Sequence, residues 1–392
     1  MNAQQLCLKP TAPTRRTLLK AVVASTVALP SLSFAATSAR NDRTAIKFGQ
    51  SAPLTGAMAE VGLGFRDAAL AVFAEVNAQG GIAGRNIELV TLDDESLHER
   101  TTVNVKLLAS EHKVVGLFGF IGAGSHVAGA NQAAVEGMPY IAAVSGSQEL
   151  RTGKTPRVYN MRAGYIDEIE LIIRHMYQVG IQRVSLVVEY NSQGWDIRDT
   201  FIEAAEKQGN KVASISSIDH EGSAFSLAAA LKATLAGDPQ AVVLGADSQA
   251  SAKFVDAARA AGYNGQVYTL STVGGAAMVK LLGKKAEGVS VTQVVPFPWT
   301  SSLRIGREFQ DFCARRKIDA SFIAMEAYLA SSLLVGAMKR TNDFTSAGVS
   351  TALVNLPAYD FGGYLGSFYS KARRSPGQVD LTVYSRSGKF LK

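Results

Sequence analysis

The stretch IKFGQSAPLTGAMAEVGLGFRDAALAVFAEVNAQGGIAGRNIELVTL, residues 46–92, decides the fold. It opens with an apolar strand at 46–51, followed by the turn-rich segment APLTG. A helix is predicted over 64–78, because its apolar residues recur at i, i+3, i+4 and i+7 on one face. The helix ends at Gln79-Gly80-Gly81, since glycine tolerates the left-handed conformation there, and a second strand is predicted at 87–92. A strand, a helix and a second strand in this order are typical of a parallel sheet.

The same alternation continues along the chain. Further strands are predicted at 114–120, 138–144, 183–188, 212–218, 241–244, 267–270 and 288–294, with helices between them, one near 99–110 and one near 125–136. Strands separated by helical segments of this kind form parallel sheets that are covered on both faces. The sequence therefore predicts a doubly wound α/β protein.

Two runs of this alternation predict two similar lobes. The first run ends near 157–164, and the prolines of PFPW, 296–299, stiffen the point where the chain leaves the second run. Helices at 303–316 and 322–339 have no strand between them and are expected to complete the first lobe. Two facing open sheets form a cleft that closes like a hinge. The predicted N-terminal lobe comprises 44–160 plus 297–345, and the C-terminal lobe 161–296 plus 346–392.

The first 36 residues have the layout of a removable export signal. TRRTLLK, 14–20, is followed by an apolar run at 21–32 and by small residues at 35–39. The adjacent Arg15 and Arg16 resemble the twin-arginine type of bacterial signal. A membrane-spanning helix needs about 20 consecutive apolar residues, and serines, a threonine and a proline interrupt this run. We therefore predict a periplasmic mature protein of about 356 residues, long enough for two domains.

Charge and cysteine content argue against several classes of partner. The formal net charge is +7, but four of the basic residues lie in the predicted signal, which leaves about +3 on the mature chain. The remaining basic clusters are scattered, so neither nucleic acid nor a polybasic membrane contact is expected. With Cys7 lost, Cys313 stands alone and no intrachain disulfide can form.

Catalytic motifs are scarce. The five histidines lie far apart, and the G-x-S-x-G, H-E-x-x-H and G-x-x-x-x-G-K-[ST] motifs do not occur. The acids at 93–95 are interpreted as solvated charge at a helix start rather than a metal site. GFIGAGSHVAG, 119–129, lacks the glycine spacing of a dinucleotide loop. We expect a protein that is not an enzyme and needs neither cofactor nor metal.

The loop 122–125 has another use. It opens a helix, so its free backbone N–H groups point at whatever enters the crevice, and its small side chains let a carboxylate approach. A second set of donors, Ser145-Gly146-Ser147, follows the next strand. The alternative is that Ser125 and Ser147 only cap helices.

Five segments together resemble one known family. They are FGQSAPLTG (48–56), EVNAQGGIAGRNIELVTLDDE (75–95), RAAGYNGQVYTLSTVG (259–274), AEGVSVTQVVPFPW (286–299) and MEAYLASSLLVGAM (325–338). In order and spacing the chain is similar to the type I periplasmic solute-binding proteins, the leucine-binding-like receptors of ATP-driven (ABC) amino-acid uptake. The resemblance implies a two-lobed clamp that delivers a small solute to a membrane permease.

The resemblance also implies a ligand site, from which this chain departs. In amino-acid-binding members the loops of the first lobe hold the ligand carboxylate, which maps onto Ala123, Gly124, Ser125, Ser145, Gly146 and Ser147. Ala123 replaces a common hydroxyl residue and Gly146 a threonine that helps hold the ammonium. Ser271 stands where an ammonium-pairing acid is expected, and Gln193 where the family has a tyrosine.

Two acids are expected to replace the missing ammonium partner. Asp247, in VVLGADSQA, follows a strand of the second lobe, and Glu326, in AMEAYLA, lies in the returning first-lobe segment. Either acid could instead be a surface charge or a contact between lobes. Phe120, Tyr165 and Trp195 are expected to form an apolar wall or, alternatively, core or rim packing.

The expected function is capture of a carboxylate-bearing solute in the cleft by a monomeric protein. The solute is an amino acid if Asp247 holds an ammonium, or else an organic or aromatic acid without an amine. A ligand-sensing module for a separate membrane receptor remains an alternative, because this fold also serves sensors.

Overall fold

The computed structural model describes residues 44–56, 58–122, 125–219, 222–272, 276–299, 302–369 and 378–392. The predicted export signal, residues 1–36, lies outside the described residues. In the part of the chain that is described, no helix is long and apolar enough to span a bilayer.

Fourteen strands are named in chain order. They are β1 Ile46–Ala52, β2 Ile87–Asp93, β3 Gly116–Phe118, β4 Tyr140–Ile141, β5 Val158–Tyr159, β6 Arg183–Glu189, β7 Lys211–Ile218, β8 Ala241–Gly245, β9 Gln266–Thr269, β10 Val289–Gln293, β11 Tyr359–Asp360, β12 Leu365–Gly366, β13 Asp380–Tyr384 and β14 Phe390–Leu391.

Eleven α-helices accompany these strands over the described ranges. They are α1 Ala59–Ala78, α2 His98–Ser110, α3 Ser125–Val135, α4 Tyr165–Gln178, α5 Ser192–Gln208, α6 Ala224–Ala236, α7 Ser248–Ala260, α8 Ala276–Leu282, α9 Arg304–Arg316, α10 Phe322–Met338 and α11 Ser346–Val354.

The strands form two main sheets of the predicted class. The first is parallel, with the order β2-β1-β3-β4-β5. The second has the order β14-β13-β10-β9-β8-β6-β7 and is parallel from β7 to β10, while β13 and β14 add antiparallel strands at one edge. The doubly wound α/β prediction is therefore confirmed. We call the first sheet with its helices the first lobe, and the second sheet with its helices the second lobe.

Helix α1 follows the predicted pattern but begins earlier. Its buried face carries Phe65, Phe73 and Val76, and it ends before Gly80, whose φ of 98° suits glycine. The helix starts at Ala59 rather than at residue 64. Its first turn packs closely against the loop after β1, and Gly62 allows this close approach because it has no side chain. A Cβ at Gly62 would lie 1.8 Å from the carbonyl oxygen of Pro53.

The chain returns to the first lobe after β10 and stays there longer than predicted. Helix α10 packs in the first hydrophobic core, as does α9. Val349 and Leu353 of α11, and Phe361 and Tyr364 of the β11–β12 hairpin, belong to the same core, although the sequence analysis assigned 346–392 to the second lobe. We therefore propose that the chain re-enters the second lobe only near β13.

One cysteine, Cys313 on α9, lies in this core and is unpaired. Burial raises the pKa of its thiol to about 11, with a further contribution from Asp319. The thiol is therefore protonated at neutral pH.

Candidate functional site

A cavity of about 1050 Å³ lies between the two lobes. Several of its lining residues lie just beyond strands of both sheets: Ala246 directly follows β8, Ser271 lies shortly after β9, and Gly122 lies in the loop after β3. This is the carboxyl edge at which open parallel sheets bind ligands. Its polar end is lined by Gly122, His126, Arg162, Tyr165, Glu189, Gln193, Asp247, Ser271, Thr272, Gln293 and Glu326.

Arg162 is the cation at this polar end, and the sequence analysis missed it. It lies where the chain first crosses between lobes, is 2% exposed, and donates to Ser271 Oγ. Its guanidinium is 3.5 Å from Glu326 Oε2 and 3.8 Å from Glu168 Oε1. Burial opposes the charge, but these two carboxylates outweigh it and raise the pKa of Arg162. The only signal in the sequence that could have identified it was an arginine in the crossing segment NMRAGYI, 160–166.

Glu168 supplies a carboxylate beside the position where the family pattern has an acid. Its Oε2 accepts from the backbone N of Ser271 at 2.8 Å and from Thr292 Oγ1 at 2.5 Å, and its side chain is fully buried. Glu168 lies on the buried face of α4, together with Tyr165 and Ile172. A charged residue on the apolar face of a predicted helix was the signal in the sequence that could have identified it.

Glu326 lies on the cavity wall, 6% exposed. Burial raises the pKa of its carboxyl and outweighs the attraction of Arg162, while Glu168 adds repulsion. The carboxyl therefore binds a proton more readily than an exposed glutamate does. A cation arriving in the cavity would favour the ionised form.

His126 also lies in the cavity wall, where its imidazole is uncharged. Burial, together with the positive charges of Arg162 and Arg151, lowers the pKa of its imidazole to about 3. Its ring hydrogen-bonds to the backbone of Val144, while Nδ1 has no hydrogen-bond partner. A neutral imidazole nitrogen with no partner is available to a polar ligand.

Asp247 lines the cavity as expected and also caps a helix. Its Oδ1 accepts from the backbone N of Ala250 at 2.7 Å, at the start of α7. Its own backbone N donates to Glu189 Oε2 at 3.3 Å. Both acids therefore lie at the carboxyl edge of the second sheet, on the wall opposite the first lobe.

The second predicted donor loop does not line the cavity. Ser145 Oγ accepts from the backbone N of Ser147, and Ser147 Oγ donates to Asp196 Oδ2 at 3.0 Å. Asp196, on α5 of the second lobe, also accepts from the backbone N of Gln148 at 2.8 Å. These donors hold the lobes together, which corrects the expectation that they face the solute.

Gly146 is small for a reason other than loss of an ammonium partner. A Cβ on this residue would lie 2.4 Å from Cδ1 of Tyr165, whose ring occupies that space. Tyr165 is 1% exposed and lines the cavity. The glycine therefore makes room for the tyrosine.

The remaining predicted residues fall into four groups. Ala123 and Gly124 lie outside the described residues, whereas Ser125 begins α3, fully buried, with no hydrogen-bond partner for Oγ. Phe120 packs on Tyr140 in the first-lobe core at 4.9 Å between ring centroids, and does not line the cavity. Gln193 and Ser271 do line it. Trp195 is 45% exposed, packs edge-on to Tyr190, and is a rim residue.

The acids at 93–95 were interpreted as solvated, which holds for the exposed Glu95 but is wrong for Asp94. Asp94 is fully buried and its carboxylate accepts from Ser51 Oγ and Thr101 Oγ1. Asp93 accepts from the backbone N of Leu54. Among the described residues, no group of three His, Cys, Asp or Glu side chains could hold a metal ion.

Comparison with known proteins agrees with this architecture. Among solved structures, the chain is similar to a possible leucine/isoleucine/valine-binding protein from Rhodopirellula baltica SH 1, with 25% identity, a TM-score of 0.81, and coverage of 90% of this chain and 97% of that one. It is similar to a substrate-binding periplasmic protein from Ralstonia solanacearum, with 27% identity, a TM-score of 0.80, and coverage of 88% and 99%. A branched-chain amino acid ABC transporter protein from Thermus thermophilus, solved with bound valine, shares the fold at 16% identity and a TM-score of 0.76, with coverage of 89% and 95%.

Curated protein sequences gave no match to the chain. The family model described as "Periplasmic binding protein" matches residues 45–385, which is most of the sequence. The chain therefore belongs to the periplasmic binding protein family.

Proposed function

We propose that the protein is the substrate-binding component of an ABC uptake system and captures an amino acid in the interlobe cavity. The observation that carries this proposal is a cavity, walled by both lobes, in which the cation Arg162 lies beside several carboxylates. A solute that touches both walls stabilises the closed arrangement, which is how a hinged receptor retains its ligand.

The charges favour a solute with both an anionic and a cationic group. Arg162, neutral His126 and the N–H groups at the start of α3 can hold a carboxylate. Glu189, Asp247 and Glu326 line the same polar end. An acid without an amine would bring a further negative charge to these carboxylates, whereas the ammonium of an amino acid would bring a positive one.

Contacts between the lobes support capture. Asp196 of the second lobe is hydrogen-bonded to Ser147 and Gln148 of the first. Lys280, on α8 of the second lobe, also forms an ion pair with Glu60, on α1 of the first lobe. The lobes therefore already make the polar contacts that a closed clamp requires.

Family membership fits an extracytoplasmic location, which the predicted export signal would provide. The similar Thermus thermophilus protein holds valine, which favours an amino acid here. The partner would be a membrane permease, and the receptor would act as a monomer so that its lobes can move.

The test is calorimetric binding to mature protein that has been unfolded and refolded to remove copurified solute. Amino acids and the matching carboxylic acids without an amine are compared. We expect the amino acids to bind more tightly, because their ammonium places a positive charge beside the acidic side chains of the cavity. Binding of the amine-free acids alone would contradict the proposal.

Asp247→Asn tests the ammonium partner. Asparagine still caps α7, so the fold is retained while the charge is lost. We expect amino-acid affinity to fall by at least about tenfold, since truncating a buried charge pair costs roughly 2–5 kcal/mol. Asp238→Asn, whose side chain is 90% exposed in its surface pair with Arg183, is the control. Unchanged affinity in the Asp247 variant would rule out this role.

A further inference from the structure

The cavity is much larger than an amino acid with a short side chain requires. Its volume is about 1050 Å³, whereas about 150 Å³ is enough to hold benzene and pockets for drug-sized ligands occupy roughly 300–1000 Å³. The polar end accounts for only part of the lining. The other lining residues come from different elements of both lobes, so they indicate what else the solute could contact.

Two segments lead from the polar end to the other end. The second crossing between lobes lines the cavity at Gln293, Val294, Val295, Phe297 and Trp299 in succession. An extended chain of this length spans at most about 20 Å. Polar residues therefore give way to apolar ones along a single continuous wall.

Helix α10 makes the same transition from the first lobe. Glu326 lies at the polar end, and Phe322 and Ile323, which also line the cavity, precede it by one turn on the same face. One turn is about 5.4 Å along the helix axis. The apolar region thus begins directly beside the charged group.

We call this region the apolar arm. Its apolar lining residues are Val61, Leu63, Val279, Phe297, Trp299, Ile318, Phe322, Ile323 and Phe390. They come from both lobes and from the crossing between them. Charged residues near them in the chain also line the cavity: Glu60, Asp67, Lys280, Lys317, Asp319 and Lys389.

Four aromatic rings shape the arm. Trp299 stacks on Phe390 with 5.9 Å between centroids and 17° between planes, and Phe322 stands edge-on to both, at 5.3 and 5.1 Å. Phe297 packs against Trp299 and Phe322. Trp299 is nevertheless 44% exposed, and the three phenylalanines are only partly buried. These rings offer apolar surface that a ligand would remove from water.

We propose that the solute carries an aryl or alkyl tail that lies in the apolar arm and reaches Trp299, while its charged head occupies the polar end. This inference rests on the proposed function, because it assumes that the head binds beside Arg162. It narrows the substrate class from amino acids in general to those with a long apolar side chain.

The first test is a length series. Calorimetry compares α-amino acids with unbranched side chains of two, four, six and eight carbons, together with homophenylalanine. Affinity should rise about fourfold for each added methylene until the arm is filled, because each methylene leaves water for an apolar surface. A parallel series of carboxylic acids without the amine separates the contribution of the head from that of the tail.

The second test uses the two tryptophans of the chain. Trp195 is 45% exposed and does not line the cavity, so it is a matched control for Trp299 at 44%. Trp299→Ala should weaken binding of the longest tail by about tenfold or more and leave the two-carbon side chain unaffected, whereas Trp195→Ala should change neither.

Fluorescence gives an independent readout. In Trp195→Phe the sole remaining tryptophan is Trp299, and its emission should shift to shorter wavelength with long tails only. In Trp299→Phe the remaining Trp195 should not respond to tail length. If short amino acids bind and added length changes neither affinity nor Trp299 emission, the tail inference is overturned while the proposed function stands. If no member of either series binds, the proposed function fails and the tail inference with it.

Discussion

At the scale of single residues, the polar end of the cavity departs from the pattern that the resemblance implied, and the departures compensate one another. Ser271 replaces an expected acid, yet Glu168 brings a carboxylate to its backbone N. Gly146 replaces an expected threonine, and the ring of Tyr165 fills the space. Other residues therefore occupy the places of the expected groups, so single positions mapped from a family are an incomplete guide to this wall.

Gly146→Ala tests the packing of this site. The backbone of Gly146 lies outside the left-handed region, so the only demand on this residue is for space. The added Cβ would clash with Tyr165, and overpacking of this kind costs about 1–3 kcal/mol of unfolding free energy. Urea denaturation measures the loss. Adding Tyr165→Ala removes the clash. The double variant should therefore lose less unfolding free energy than the two single variants lose in total. Strictly additive losses would contradict a contact between Gly146 and Tyr165.

His126→Gln tests the neutral imidazole. The folded-state pKa is lowered to about 3 from 6.5, so the stability that neutral His126 provides is present above pH 6.5 and is lost as pH falls toward 3. Relative to the variant, the wild type should lose about 1.4 kcal/mol of unfolding free energy per pH unit in that window. Urea denaturation from pH 7 to 5 measures the slope, with the exposed His98→Gln as control. Parallel stability curves for wild type and His126→Gln would contradict a buried neutral histidine.

At the scale of secondary-structure elements, the sequence was a good guide wherever periodicity carried the information. The strands β1, β2, β6 and β8 begin where alternation predicted them and end within one residue of it. The two-residue strand β5 was not predicted, since so short a strand has no period to detect. Helix α11 was missed, because its nine residues are mostly small or β-branched and give no clear apolar period.

Asp196→Ala tests the contact between α5 and the loop after β4. Asp196 accepts two hydrogen bonds from the first lobe, and hydrogen bonds to a charged group contribute about 1.5–3 kcal/mol each. Their loss should shift the protein toward an open form. Small-angle X-ray scattering should then show a larger radius of gyration without ligand. Asp199→Ala, which removes an exposed carboxylate one turn along the same helix, should leave the radius unchanged; an equal change in both variants would exclude a specific contact.

At the scale of the whole molecule, the two lobes were predictable but the site between them was only partly so. Parallel strands of two sheets determine where a cleft must lie. Tyr165, Gln193, Asp247, Ser271 and Glu326, which were expected to bind the solute, line the cavity, and their contact with a solute stays a prediction. The partners of these residues come from other parts of the chain. Sequence spacing does not show which crossings meet.

Arg162 shows why the partners of a site residue cannot be read from sequence spacing. Its backbone carbonyl accepts from Tyr369 and from Arg151, and its side chain reaches Ser271 and Glu326. These groups are separated by many residues in the chain and meet only in the folded protein. A single arginine in a crossing segment carried no periodic signal, so its central position could be found only from the three-dimensional arrangement.

The isolated thiol of Cys313 has a practical consequence. With a pKa of about 11 and a buried position, only about one thiol in ten thousand is ionised at pH 7, and maleimide dyes react with thiolates. New cysteines at the exposed positions Val103 on the first lobe and Phe225 on the second could therefore be labelled without removing the native one. Energy transfer between two such dyes would report the distance between lobes, and the protein could then serve as an optical sensor for its own solute.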